Sequence, residues 1–220
     1  MVRALPDSFA MNLVRSLSLA LLGGAFLLAQ NPGPPQANPK DDEENTKAGV
    51  KDPFTGGDAK LMQAAGVVAY GPFPWADDLT TASVDKVLGE NRIRWVETQH
   101  FLIGCTFGSA TMPDESEVRK LMNGEFQRMR KRFNKFPERA SKIDPWLRLH
   151  LYAQRAEELY AEFAKLVGHD DASGTYLGQK KKFPILLFQK KSDLARYLDR
   201  FCGIKSDFGM RHFYAKTEQY

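Results

Sequence analysis

Two stretches of this chain carry an apolar stripe at helical spacing, each framed by its own start and stop signals. Pro113-Asp114 opens the first, where Val118, Leu121, Met122, Phe126, Met129, Phe133 and Phe136 recur every three or four residues until Pro137. Asp144, followed by Pro145, opens the second. It carries Leu149, Tyr152, Ala153, Ala156, Leu159, Tyr160, Phe163, Leu166 and Val167 on one face and stops at Gly168. Helices striped on one side must lay that side on another apolar surface. Residues 92–107 supply one, reading as a single strand that becomes continuously apolar at 101–103, as a central strand does. Residues 183–189 read as a second apolar strand. Ser192 then opens a helix with Leu194, Tyr197, Leu198 and Phe201 inward, ending at Gly203, and 210–215 reads as a short last strand.

This order predicts an α+β fold: a small mixed sheet packed against two long helices, with an irregular N-terminal segment. The stripes predict one core in which Phe126, Met129, Phe133, Leu159 and Phe163 meet Phe101, Ile103, Ile185 and Leu187.

The N-terminal part is organised differently. Arg15 precedes an apolar run over 17–28, which is too short to cross about 30 Å of hydrocarbon as a helix. Residues 1–30 therefore read as a secretory signal cut near Ala29 or Gln30, with Met1 or Met11 as the start. This predicts an exported protein (periplasm, cell envelope or extracellular) with no membrane span after signal cleavage. Four prolines and an acidic cluster make 31–50 a disordered linker. In 51–90, glycines and prolines interrupt Val67, Val68, Tyr70, Phe73 and Trp75, so an irregular segment with one short helix is expected, capped by Thr81 or Ser83 and stopped at Gly89. Residues 91–220 form the α+β domain.

Composition narrows the chemistry. The 220 residues hold 31 basic and 27 acidic side chains, a net charge of +4, so the balance calls for no nucleic acid partner. No P-loop, GxGxxG, GxSxG, CxxC or HExxH occurs. The four histidines, His100, His150, His169 and His212, show no one-turn pairing. His100 reads as a satisfied structural histidine, His150 as a helix-packing one, and His169-Asp170-Asp171 as a water-facing turn. No catalytic, cofactor-binding or metal-ligating residue is assigned, and no cofactor. The basic run Arg128, Arg130, Lys131 and Arg132 reads as a solvated helix face. Cys105 and Cys202 leave two readings open, a disulfide between them or two buried thiols.

From Gln99 onward the order of pieces resembles the opening of the peptidase-MA-like, gluzincin-type domains of exported bacterial proteins. The strand Thr98-Gln-His-Phe-Leu-Ile103, the helix end Leu159-Tyr-Ala-Glu-Phe-Ala-Lys-Leu-Val-Gly168, the strand Ile185-Leu-Leu-Phe188, the helix 193–201 and the strand 209–214 carry the likeness. In that family the helix bearing the zinc-binding HExxH comes next, and Tyr220 precedes it. The resemblance implies the non-catalytic front part of a metallopeptidase-like domain, incomplete at the C-terminus, with no family catalytic residue at any position here. The other reading is a complete cell-envelope or secreted binding or structural protein with no enzymatic ancestry. An HExxH encoded downstream of Tyr220 would separate them. The sequence names no partner.

Overall fold

Thr98-Gln99-His100 breaks the single strand expected over 92–107 into a hairpin of β4 (Arg94–Glu97) and β5 (Phe101–Cys105). The Thr98 amide donates to the Phe101 carbonyl at 2.9 Å, and the Phe101 amide donates back to Thr98 Oγ1 at 3.2 Å. A polar turn closed by its own threonine needs no glycine, so the reversal is hidden in a β-rich run. The computed structural model describes residues 51–209 apart from 77, 91, 171 and 173. The signal, the linker and the strand expected at 210–215 lie outside the described residues.

Around the hairpin stands a four-stranded mixed sheet ordered β1-β4-β5-β8, with β1 at Ala69–Tyr70 and β8 at Phe183–Leu187. β4 is antiparallel to both β1 and β5, whereas β8 is parallel to β5 with Phe101 opposite Phe183 and Cys105 opposite Leu187. Two small antiparallel pairs complete the strands: β2 (Pro74–Trp75) with β3 (Leu79–Thr80), and β6 (Ala110–Thr111) with β7 (Lys142–Ile143). The described residues all belong to one unit.

Both faces of the sheet are covered. On one lie α1 (Ala59–Ala65), α3 (Ser116–Arg132) and α4 (Pro145–Val167), and there Phe126, Met129, Leu147 and Tyr160 pack with Val96, Phe101, Ile103 and Cys105. On the other lie α2 (Thr81–Leu88) and α5 (Lys191–Tyr197), whose Val84, Leu88 and Tyr197 pack with Phe73, Trp75, Ile93 and Trp95. A turn of π-helix over Leu198–Cys202 prolongs α5 to Gly203. The second core needs Gly104: a Cβ there would run into the Trp95 ring and Leu186 Cδ1. The fold is α+β, a small mixed sheet against two long helices.

Local chemistry sets the helix limits. Asp144 caps α4 by accepting from the amides of Trp146 and Leu147, and Gly168 ends it in the left-handed conformation at φ +68. α3 is shorter than its stripe. It ends at Arg132, and Phe133 turns extended, yet Phe133 and Phe136 stay buried because the Phe136 amide returns to the Phe133 carbonyl at 3.1 Å. Between the long helices two fork-shaped ion pairs face each other, Arg128 with Glu158 at 2.8 and 2.9 Å and Arg155 with Glu125 at 2.7 and 2.8 Å.

The segment 51–90 holds more regular structure than expected. α1, capped by Asp58 and ending at Gly66, was not foreseen, and α2 is capped by Thr80 rather than Thr81 or Ser83. β1 is the edge strand of the main sheet, and both cores take residues from this segment.

The predicted core needs one correction. Phe126, Met129 and Phe133 join Phe101 and Ile103, with Ile185 and Leu187 packed against them, but Phe163 is 38% exposed and Leu159 is only half-buried. Late in α4 the inward positions are Tyr160 and Ala164, so Phe163 points away from the sheet. Truncating Phe126 to Ala is expected to cost about 3–5 kcal/mol, as a filled aromatic site becomes a cavity. Phe163→Ala should cost less than about 1 kcal/mol, and urea unfolding of the two variants checks the contrast.

Candidate functional site

The chemistry-bearing side chains gather in clusters that join elements distant in sequence. The most buried is centred on Asp52, whose side chain is fully covered. Asp52 begins an Asx turn, its carboxylate accepting from the amides of Phe54 and Thr55 at 2.9 and 3.3 Å. Its Oδ2 also accepts from Thr55 Oγ1 at 2.8 Å, from the Tyr70 hydroxyl at 2.5 Å and from His150 Nε2 at 3.1 Å. An ionised carboxylate only accepts, so His150 Nε2 is the donor in this pair. Burial by itself would raise the Asp52 carboxyl. The hydrogen bond and charge of His150, then Tyr70 and the Phe54 amide, outweigh it and hold the group below the ordinary carboxylate range. Tyr70 moves the other way: burial and the Asp52 carboxylate push its hydroxyl above the usual phenol range. His150 is closed in by the rings of Phe54 and Phe136, at centroid distances of 5.8 and 4.8 Å.

A second cluster lies where the β4–β5 turn meets α4. Glu157 accepts from Thr98 Oγ1 at 2.5 Å and from the His100 amide at 3.0 Å with one oxygen, and faces His100 Nδ1 at 2.5 Å with the other. The His100 ring stacks on Tyr160 at 3.7 Å and meets the edge of Tyr176 at 6.2 Å. Lys182 closes the side, donating to Glu97 Oε1 at 2.7 Å and to the Thr98 carbonyl at 2.6 Å. A carboxylate on one imidazole nitrogen is the device that orients catalytic and metal-bound histidines. Here the His100 side chain is only 8% exposed, against an aromatic wall.

At the opposite end of β5 and β8, Arg148 lies over the Phe107 ring at 4.3 Å and donates to the Gly108 carbonyl at 2.7 Å and Gln189 Oε1 at 3.3 Å. Cys105 is fully buried nearby, and burial pushes its thiol up to about 11, against the pull of its bond from the Phe107 amide and of Arg148 and Arg94. A thiol so raised is protonated at neutral pH and unsuited to nucleophilic attack. Cys105 and Cys202 are not joined to each other. Both are thiols, Cys105 in the core beneath α3 and α4, Cys202 against the core beneath α2 and α5. The sheet stands between them, which answers against the disulfide reading.

On the second face the Trp95 indole N–H donates to both oxygens of Asp85, at 3.0 and 3.1 Å. Burial raises the Asp85 carboxyl to about 6, with Glu90 adding to the effect and Trp95 opposing it.

The other sequence candidates are dispersed. His169 Nε2 lies 2.9 Å from the Thr175 carbonyl oxygen and 3.2 Å from the Leu177 amide in its own loop, while Asp171 and His212 lie outside the described residues. Among the described residues no three of His, Cys, Asp or Glu gather where they could hold a metal ion, and no helix is long and apolar enough to cross a membrane. Sequence reasoning missed the Asp52 cluster; its one local signal was the Asx-turn pattern Asp52-Pro-Phe-Thr55.

Replacing Asp52 with Ala strips five donors, two amides and three side chains, of their shared acceptor and is expected to cost about 3–5 kcal/mol; denaturant melts of the variant measure it. Asp85 yields a pH test. Between about pH 4 and 6 the folded protein binds a proton at Asp85 that the unfolded chain releases, so the contribution of this group to stability falls as pH rises through that window. Asp85→Asn, neutral throughout, should therefore gain on the natural protein in thermal melts at pH 7 relative to pH 4. An equal offset at both pH values would contradict the raised carboxyl.

No family model, curated protein or solved structure matches this chain.

Proposed function

We propose that this chain is an exported bacterial protein whose domain follows the plan of the front part of a peptidase-MA-like, gluzincin-type domain and works without a catalytic centre. The sheet is consistent with that plan: β5, α3, α4, β8 and α5 follow one another in the order the resemblance implies. The observation that carries the non-catalytic reading is the use made of His100 and His150. Each imidazole is held by one carboxylate inside the packing, and each pair ties α4 to another part of the chain. Both imidazoles lie inside the packing, whereas a hydrolytic zinc needs its histidines beside a position open to water. Export is supported by the apolar run over 17–28 behind Arg15, followed by a proline-rich acidic stretch.

Two measurements test the reading. The protein recovered from outside the cytoplasm is expected to begin just after Ala29 or Gln30, as shown by its N-terminal sequence. After dialysis it is expected to hold no stoichiometric zinc and to hydrolyse no peptide. One tightly bound zinc per chain, lost on replacing His100 or His212, would overturn the non-catalytic reading, and retention of the uncut chain in the cytoplasm would overturn export.

A further inference from the structure

The largest local excess of positive charge lies at the end of α3 and in the turn after it, with a smaller one in the five lysines of 180–191. Residues 128–142 hold seven basic side chains and one acidic, Glu138, whereas the rest of the chain holds 24 basic and 26 acidic. Arg128 is paired with Glu158, and Arg130 donates to the carbonyls of Asn134 and Phe136 at 3.1 and 2.9 Å, folding the turn back over the end of α3. Lys131, Arg132, Lys135 and Arg139 stand exposed around that fold-back. Arg132 reaches beside Gly66 at the end of α1, where burial lowers its guanidinium against the pull of Glu157 and Glu158. A helix C-terminus favours one or two cations in its last turn; Lys135 and Arg139 lie beyond it.

The aromatics interleaved with these cations, Phe133 and Phe136, are buried at 4% and 0% exposure. The rings interleaved with the charge are thus turned inward rather than offered to a base, unlike those of a single-strand nucleic acid reader. Anionic headgroups in a fluid bilayer need no stacking and attract each nearby lysine or arginine by about fivefold in affinity.

We propose that the end of α3 and the turn after it, through Lys131, Arg132, Lys135 and Arg139, dock this protein on the anionic phospholipid headgroups of a membrane surface. The proposal concerns this surface alone and stands or falls separately from export and from the non-catalytic reading.

The test uses the full chain and vesicles of phosphatidylcholine with and without phosphatidylglycerol. The readout is the excess binding to the anionic vesicles compared between variants, all of which carry the same apolar run over 17–28 behind Arg15. Binding to the anionic vesicles is expected to exceed that to the neutral ones and to vanish at high salt. The triple variant Lys131→Glu, Lys135→Glu, Arg139→Glu should lose roughly a hundredfold of that excess. Lys86→Glu, Lys181→Glu, Lys205→Glu makes the same change in net charge at exposed sites elsewhere and should keep most of it. Lys135→Glu alone should lose at least about fivefold, which keeps the test intact if the triple variant unfolds. Equal binding to both vesicles, equal loss in the two triple variants, or binding to duplex DNA that persists at salt concentrations releasing the vesicles would each overturn the proposal.

Discussion

Every layer of this domain rests on β5 being closed on four sides. β4 holds one edge and β8 the other, α3 and α4 cover one face, and α2 and α5 cover the opposite one. A strand in that position must be apolar on both faces, and Phe101-Leu-Ile-Gly-Cys105 is. Its one small residue faces the largest neighbour, since Gly104 is where the Trp95 ring lies across the strand. The long helices therefore meet a surface already fixed by strand pairing, and the smaller layer of α2 and α5 settles around the two tryptophans, Trp75 and Trp95, whose rings meet at 5.0 Å.

Buried carboxylates tie the parts that strand pairing does not reach. Asp52 binds the start of the domain to β1 through Tyr70 and to α4 through His150. Glu157 binds the same helix to the hairpin turn, and Asp193, itself buried, holds Arg92 at 3.1 Å so that α5 stays against the approach to β4. Each joins segments many residues apart, and breaking one would leave a buried carboxylate without its partner, which is costly. This gives α4 a double role: its apolar stripe covers the sheet while its polar positions pin two other segments.

What could be read from the residues follows from how local each signal is. The limits of α4 were legible because Asp144, Pro145 and Gly168 act within one turn of the helix ends. The apolar runs announced β5 and β8 for the same reason. The hairpin at 98–100 was not legible, because the hydrogen bonds of Thr98 replace the glycine that normally marks a reversal. Phe163 was misplaced because a stripe as broad as that of α4 does not reveal where the sheet beneath it ends. Of the Asp52 cluster only the Asx turn at 52–55 left a local mark. Its members, at 52, 55, 70 and 150, are brought together by the fold and share no spacing.

β8 shows how the outer rim of the sheet is finished. The Phe183 amide donates to the His100 carbonyl and the Leu187 carbonyl accepts from Thr106, so 183, 185 and 187 direct their backbone groups toward β5. Pro184 then directs its nitrogen outward, at the one kind of position where a strand tolerates a residue without an N–H. A neighbouring chain that tried to extend the ladder would find a rung missing beside its first contact. Where β8 ends the sheet among the described residues, Pro184 thus weakens it as a template for a further strand.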